Sequence, residues 1–149
     1  MAIVLPKFPR SGVSARIKGE SPSSSIMIQL LGFQPGYMPG DTLKFHFQLQ
    51  GIDTSTVSAI ETSVVWFTEG KGNEDLGVHF FQRLTGEAIT ERDWSQAQVI
   101  TTELPDSPLS YEGRLLKIRW CIRVRLYLNN GTDLVAQEPF YLGTETKEI

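Results

Sequence analysis

Apolar and polar residues alternate with a period of two along most of this chain. The segment 43–50 alternates apolar residues with Lys, His and Gln, and the segment 115–128 has an apolar residue at every even position. Since successive side chains of a strand point to opposite faces, this period predicts strands that are half buried in sheets. Five further segments have the same character, namely 26–30, 57–67, 76–84, 98–104 and 134–142.

Short turn sequences separate these predicted strands. Pro and Gly are concentrated at 35–40, and Asn130-Gly131 is the pair that favours a type I′ hairpin turn. Pro139 lacks a backbone donor and predicts a sheet edge or a bulge. Residues 85–97 show no sustained helical period and allow at most one helical turn. About seven short strands joined by tight turns predict an all-β, immunoglobulin-like antiparallel β-sandwich.

The predicted sandwich occupies residues 26–143. Residues 1–25 are rich in Pro, Gly and Ser and predict a flexible N-terminal arm, with one short edge segment at Ile3–Leu5. Residues 144–149 form a C-terminal tail. A loosely ordered terminus is the simpler interpretation of the arm, although its Lys and Arg residues leave docking on a partner open.

Two turn segments and one strand resemble the arrestin-like superfamily. Gly36–Leu43 is similar to the Tyr-x-Pro-Gly-Glu/Asp turn before the second strand of arrestin domains. Leu104–Gly113 is similar to the segment before a long strand of that family, and Ile118–Leu126 matches the pattern of the strand itself. The resemblance implies an arrestin-like sandwich that binds or scaffolds proteins and has no catalytic activity. Most such proteins carry two sandwiches in tandem, and this chain has room for one, so self-association is a further expectation.

Length and charge narrow the classes of function. A chain of 149 residues fits one domain, and a net charge of −3 argues against a non-specific nucleic-acid binder. The only cysteine is Cys121, so an intrachain disulfide is excluded and a reducing, cytoplasmic location is expected. The N-terminal apolar run is too short for a signal peptide, and no run is long enough for a membrane span.

A row of basic residues is the main candidate for a binding site. Lys117, Arg119, Arg123 and Arg125 occupy alternate positions of one predicted strand and therefore share a face. Such a row is suited to an acidic or phosphorylated segment of a partner protein, through charge-assisted hydrogen bonds. The alternative is a solvated ladder in which neighbouring strands place a carboxylate opposite each cation; the candidates are Glu61, Glu103 and Glu138.

The chain offers little for catalysis or for a cofactor. His46 and His79 are the only histidines, and neither has a metal-ligating neighbour at a useful spacing, so no cofactor, metal or catalytic residue is predicted. The basic neighbours of Cys121 would lower the pKa of its thiol, and pairing with His79 would require a chance tertiary contact.

A sandwich that binds a carbohydrate or another small ligand is the alternative function. It needs an exposed aromatic platform around Trp94 or Tyr37, because Trp66 and Trp120 alternate with core residues. Exposed strand edges could also accept a peptide strand or a second copy of the chain.

Overall fold

The computed structural model describes residues 24–32, 36–72 and 74–144. The predicted arm, including Ile3–Leu5, lies outside the described residues except for its last two positions, and so does the tail beyond residue 144. The strands of the described part are β1 (Ser25–Leu30), β2 (Thr42–Gln50), β3 (Val57–Gly70), β4 (Leu76–Thr85), β5 (Gln98–Glu103), β6 (Tyr111–Glu112), β7 (Leu116–Leu128) and β8 (Asp133–Phe140). One helical turn, α1 (Glu87–Thr90), and a 3-10 helix, Thr54–Thr56, complete the set of elements.

The strands form two antiparallel sheets. The small sheet has the order β1-β2-β5. In the large sheet β4 pairs with β3, β3 with β7, and both β6 and β8 pair with the other side of β7. The predicted all-β antiparallel sandwich is therefore confirmed.

The core lies between the two sheets and is built from the apolar rows read in the sequence. From β2 it takes Leu43, Phe45, Phe47 and Leu49, and from β7 it takes Trp120, Ile122, Val124 and Leu126; all are buried. Ile60 and Val64 of β3 add to this cluster, while Val65 and Phe67 point to the opposite face of the large sheet. The alternation thus assigns each side chain to the correct face.

Strand ends and one turn differ in detail from the sequence prediction. β3 continues to Gly70, because its last residues still pair with the start of β7. The predicted type I′ turn at Asn130-Gly131 is wrong, since Gly131 has φ +87° but no non-glycine residue among those described has a positive φ. The Gly131 N–H donates to Leu128 O and the Leu128 N–H to Thr132 O, the pattern of a type I turn followed by a bulge. Pro139 lies on β8, an edge strand, as predicted.

The segments that carry the arrestin-like resemblance meet at one end of the sandwich. The Gly40 N–H donates to Leu104 O at 3.0 Å, and the Leu104 N–H donates to Asp41 O at 2.8 Å. The Tyr37 N–H reaches Tyr141 O at 2.8 Å, next to a parallel bridge between Tyr37 and Leu142. We call this set of contacts, made by Tyr37, Gly40, Asp41, Leu104, Tyr141 and Leu142, the motif junction. It connects the small sheet to the segment that follows β8.

A bulge in β4 provides a side-chain link between the two sheets. Val64 pairs with Phe80 but Val65 pairs with Val78, so His79 is the extra residue. Its Nε2 lies 3.0 Å from Thr102 Oγ1 of the small sheet, and its ring packs edge-on against Trp120. The extra residue thus turns a polar side chain inward, where it links the two sheets.

Candidate functional site: a basic row on the large sheet

The four predicted residues lie on the outer face of the large sheet. In β7 the even positions face the core, so Lys117, Arg119, Arg123 and Arg125 point away from it. β3 lies along one side of this row, and β6 and β8 lie along the other. The row is therefore in the middle of the sheet, where neighbouring strands can supply charges from both sides.

Carboxylates from two strands face the N-terminal half of the row. Arg119 Nε lies 2.9 Å from Glu69 Oε2, and Arg119 Nη1 lies 3.4 Å from Glu112 Oε1. Lys117 Nζ lies 3.9 Å from Glu112 Oε2. Glu112 is thus shared between two cations at distances longer than the roughly 2.8 Å of a good charge-assisted hydrogen bond. The pairing leaves both cations accessible, with exposed side-chain fractions of 44% for Lys117 and 35% for Arg119.

The C-terminal half of the row is more tightly paired. Arg125 binds Asp133 through Nη2 at 2.5 Å and through Nε at 2.7 Å, and its guanidinium lies 4.9 Å from the centroid of the Tyr127 ring. The Tyr127 hydroxyl donates to Glu61, which also binds Arg83 at 2.6 Å. Arg125 is therefore part of a local network that already satisfies its charge.

Arg123 differs from the other three residues because it is buried. Its exposed fraction is 6%, and this burial lowers the pKa of its guanidinium from the ordinary value. The predicted row therefore divides into an accessible pair, Lys117 and Arg119, a buried Arg123 and a paired Arg125. A partner in solution would meet the accessible pair first.

The acids that face the row differ from those proposed from the sequence. Glu61 lies opposite Arg125 in the register but binds Arg83 and Tyr127 instead. Glu103 belongs to β5 of the small sheet, and Glu138 lies opposite Ile122, on the core-facing side of β8. Among the described residues, the acids seen to pair with Lys117, Arg119 and Arg125 are Glu69, Glu112 and Asp133. Two of these stand at strand ends, where a local pattern gives no indication of which strand will be the neighbour.

Exposed apolar residues flank the accessible pair. Leu115 is 71% exposed and Tyr111 is 55% exposed, the highest values among the large apolar residues at this end of the sheet. A shallow groove of about 210 Å³ lies beside them and is lined by Glu69, Gly70, Gly113, Arg114, Leu115, Leu116 and Lys117. We call this region the β6–β7 end. It consists of Tyr111, Arg119 and the residues that line the groove.

The expected lowering of the Cys121 pKa is wrong, and the chance contact between Cys121 and His79 does not form. Burial of Cys121 raises the pKa of its thiol to about 12, because desolvation outweighs the attraction of nearby Arg123. His79 bonds Thr102 on the core-facing side of the sheet, whereas Cys121 points outward. The two residues are thus on opposite faces and cannot form a nucleophile–base pair.

Neither Trp94 nor Tyr37 forms the aromatic platform that the carbohydrate-binding alternative requires. Trp94, whose position in an irregular segment left it free to be exposed, is buried, stacks on Phe47 and donates its Nε1–H to Ile89 O at 2.7 Å. Tyr37 is buried against Phe140 in an edge-to-face contact. Neither ring presents a face to solvent on which a sugar could stack.

Two further features are absent from the described residues. In this part of the chain, no group of three or more His, Cys, Asp and Glu side chains is placed to hold a metal ion. Its helices are also too short and too polar to cross a bilayer.

The fold is similar to that of a solved bacterial protein. The crystal structure of Spo0M, a sporulation control protein from Bacillus subtilis, superimposes with a TM-score of 0.55 at 12% sequence identity. This chain has an arrestin-like fold. The match covers 84% of this chain and 51% of Spo0M, so the chain spans about half of that protein's length.

The arrestin-like similarity is visible in structure and not in overall sequence. Neither the sequence models of known families nor the sequences of curated proteins match this chain. The resemblance predicted from two turn segments and one strand is confirmed at the level of the fold. An identity this low carries the arrestin-like architecture alone, so function has to be argued from the chain's own residues.

Proposed function

We propose that this chain is a non-enzymatic adaptor domain that binds an acidic or phosphorylated segment of a partner protein. The binding surface in this proposal is the β6–β7 end, with Lys117 and Arg119 as its central cations. The arrestin-like fold supports a regulatory or adaptor role of this kind, and the expected compartment is the cytoplasm, where the single cysteine stays reduced.

One observation carries the proposal. Accessible cations, exposed apolar side chains and a shallow groove occur together at the β6–β7 end. Lys117 and Arg119 share one carboxylate at 3.9 and 3.4 Å, so a partner's phosphate or carboxylate can replace it with shorter contacts. Leu115 and Tyr111 supply the apolar area that the centre of a protein interface needs.

Paired capture experiments test the proposal. The folded wild type and Lys117→Glu/Arg119→Glu are used to capture partners from the native host lysate, and the captured proteins are quantified by mass spectrometry. The matched control is Lys44→Glu/Arg92→Glu, which makes the same change in charge at exposed positions away from the row. Arg123 is left unchanged, because a buried glutamate there would damage the fold.

The expected result is a set of partners retained by the control and reduced at least tenfold by the row variant. Treating the lysate with phosphatase separates the two ligand chemistries, since a phosphorylated segment loses binding and an acidic one keeps it. Equal capture by both variants would contradict the proposal.

Self-association is a separate expectation and has its own test. β4 pairs only with β3 and β5 only with β2, so each leaves one backbone edge without a strand neighbour among the described elements. Light scattering across a hundredfold range of protein concentration measures whether a dimer forms.

A further inference from the structure

The outer face of the large sheet contains a band of side chains that are buried although they point away from the core. The band crosses β8, β7 and β3 and is made of Gln137, Arg123, Cys121, Ser63, Val65 and Phe67, which the register places side by side. Their exposed fractions range from 0% for Cys121 to 8% for Ser63. We call these six residues the outer band.

The described elements do not cover the outer band. The small sheet packs against the opposite face of the large sheet, and β4 and β6 lie beside the band within the same sheet. Outward residues of the next strand are not buried in the same way. Val78 and Phe81 stand on the same face one strand away and are 50% and 55% exposed. The boundary between buried and exposed positions thus falls between β3 and β4.

The composition of the band indicates what kind of group covers it. Val65, Phe67 and Cys121 form a small apolar cluster of their own, joined by Leu76. Beside them Gln137 is buried, and in the described part of the chain its Oε1 accepts no hydrogen bond. An occupant that brings apolar side chains together with a polar N–H would satisfy both features.

We propose that residues 1–23 of this same chain are the occupant, bound across the outer band in cis. The segment joins the described structure at Ser24, whose Oγ donates to Gly51 O at 2.7 Å immediately before β1. β1 contacts β8, which is the edge strand that carries Gln137. The segment therefore starts beside the edge from which the band begins.

Length and composition suit this segment to the role. An extended run of 23 residues reaches roughly 75 Å, whereas crossing from β8 to β4 takes roughly 15 Å at about 4.8 Å per strand. The run Ala2–Leu5 is uncharged and apolar, and Phe8 adds an aromatic ring. The positions 145–149 are fewer and contain Glu, Lys and Glu, so they are poorly suited to an apolar surface.

Cys121 provides a reporter that needs no added probe residue. It is the only cysteine and lies within the outer band at 0% exposure, so its rate of alkylation measures whether the band is covered. The rate is measured with excess iodoacetamide at pH 8 on the full-length protein, with the urea-unfolded chain as the reference for full access. Circular dichroism verifies that every variant is folded.

Two full-length variants uncover the band if the proposal is correct. In the first, residues 2–20 are replaced by a Gly-Ser repeat of equal length. In the second, Ile3→Asp, Leu5→Asp and Phe8→Asp introduce charges into the apolar run. The matched control, Ser11→Asp/Ser14→Asp/Ser21→Asp, changes the charge of the same segment by the same amount without touching an apolar residue.

The expected result is an increase in alkylation rate of at least tenfold for the Gly-Ser variant, with the serine control close to wild type. An increase in the triple aspartate variant as well would assign the contact to the apolar run, and an increase in the Gly-Ser variant alone would assign it to the rest of the segment. An unchanged rate in both variants would overturn the proposal. Protection that disappears when the wild type is diluted from 100 µM to 1 µM would also overturn it, since it would assign the cover to a second copy.

Discussion

The outer faces of the two sheets differ in how they meet their surroundings. On β2, the central strand of the small sheet, the outward residues Lys44, His46 and Gln48 are all polar, and none of them is buried. On β3 and β7, the central strands of the large sheet, the outward residues Val65 and Cys121 are almost fully buried. The small sheet thus presents a polar outer face on its central strand, while the large sheet carries, beside its basic row, outward side chains that are as buried as those of the core.

The largest expected effect compares one substitution on both outer faces. Val65→Asp places a charge in the buried band and should lower the free energy of unfolding by about 3 kcal/mol or more. Val99→Asp makes the same change on the outer face of β5, where the residue is 54% exposed, and should cost about 0.5 kcal/mol. Urea unfolding measures both values, and equal losses would remove the distinction between the faces.

Removing an aromatic ring tests how far the buried region extends within the large sheet. Phe67→Ala should lower the free energy of unfolding by about 3 kcal/mol, because the ring is 4% exposed and its loss leaves a cavity. Phe81→Ala, on the same face but 55% exposed, should cost about 1 kcal/mol or less. Both losses are measured by thermal or urea unfolding. Similar values at the two positions would mean that the buried region extends across β4.

Burial of the Cys121 thiol should make the free energy of unfolding depend on pH. Its pKa is raised from 9.0 to about 12, so between these values the folded protein keeps a proton that the unfolded chain loses. The free energy of unfolding should therefore fall as the pH rises above 9, by up to about 1.4 kcal/mol per pH unit. The comparison is with Cys121→Ala, because subtracting its pH profile removes the contributions of the titrating groups that the two proteins share. Parallel profiles for the two proteins would show that the thiol is not desolvated.

The smallest expected effect concerns the polar contacts on the two faces. Arg125 and Asp133 form an ion pair at partial exposure, and a double-mutant cycle with Arg125→Gln and Asp133→Asn should give a coupling of about 0.5 kcal/mol. This coupling should shrink in 1 M NaCl. The hydrogen bond between His46 and Gln29 on the small sheet should give a smaller coupling that salt leaves unchanged. A salt-independent value for the ion pair would contradict the assignment of its energy to exposed charges.

The strands and their faces could be predicted from the sequence because each depends only on a local period of two. In β2 and β7 an apolar residue at every second position allows a single assignment of the core face. The run Val64-Val65-Trp66-Phe67 also carries a signal that the alternation alone does not use. Four consecutive apolar residues are typical of a strand that is buried on both faces.

The partners of the basic row could not be predicted because they depend on which strands become neighbours. Glu112 reaches Lys117 through a two-residue strand, β6, that has no periodicity to detect. Glu138 was expected to face the basic row. Once β8 pairs with β7, it falls instead on the core-facing side of β8. Which residues share a face follows from the sequence, whereas the charge opposite each of them follows from the assembled sheet.

The motif junction has a consequence for when this domain can fold during synthesis. It joins Asp41 to Leu104 and Tyr37 to Tyr141, so its contacts close loops that include most of the domain. Contacts so distant in sequence form slowly, since the chain must lose the entropy of a long loop before the contact repays it. A growing chain cannot complete the junction before Leu142 has left the ribosome, so the sandwich should fold after its last strand has been synthesised. Until then the apolar strands have no complete partner sheet, which makes the nascent chain a substrate for chaperones.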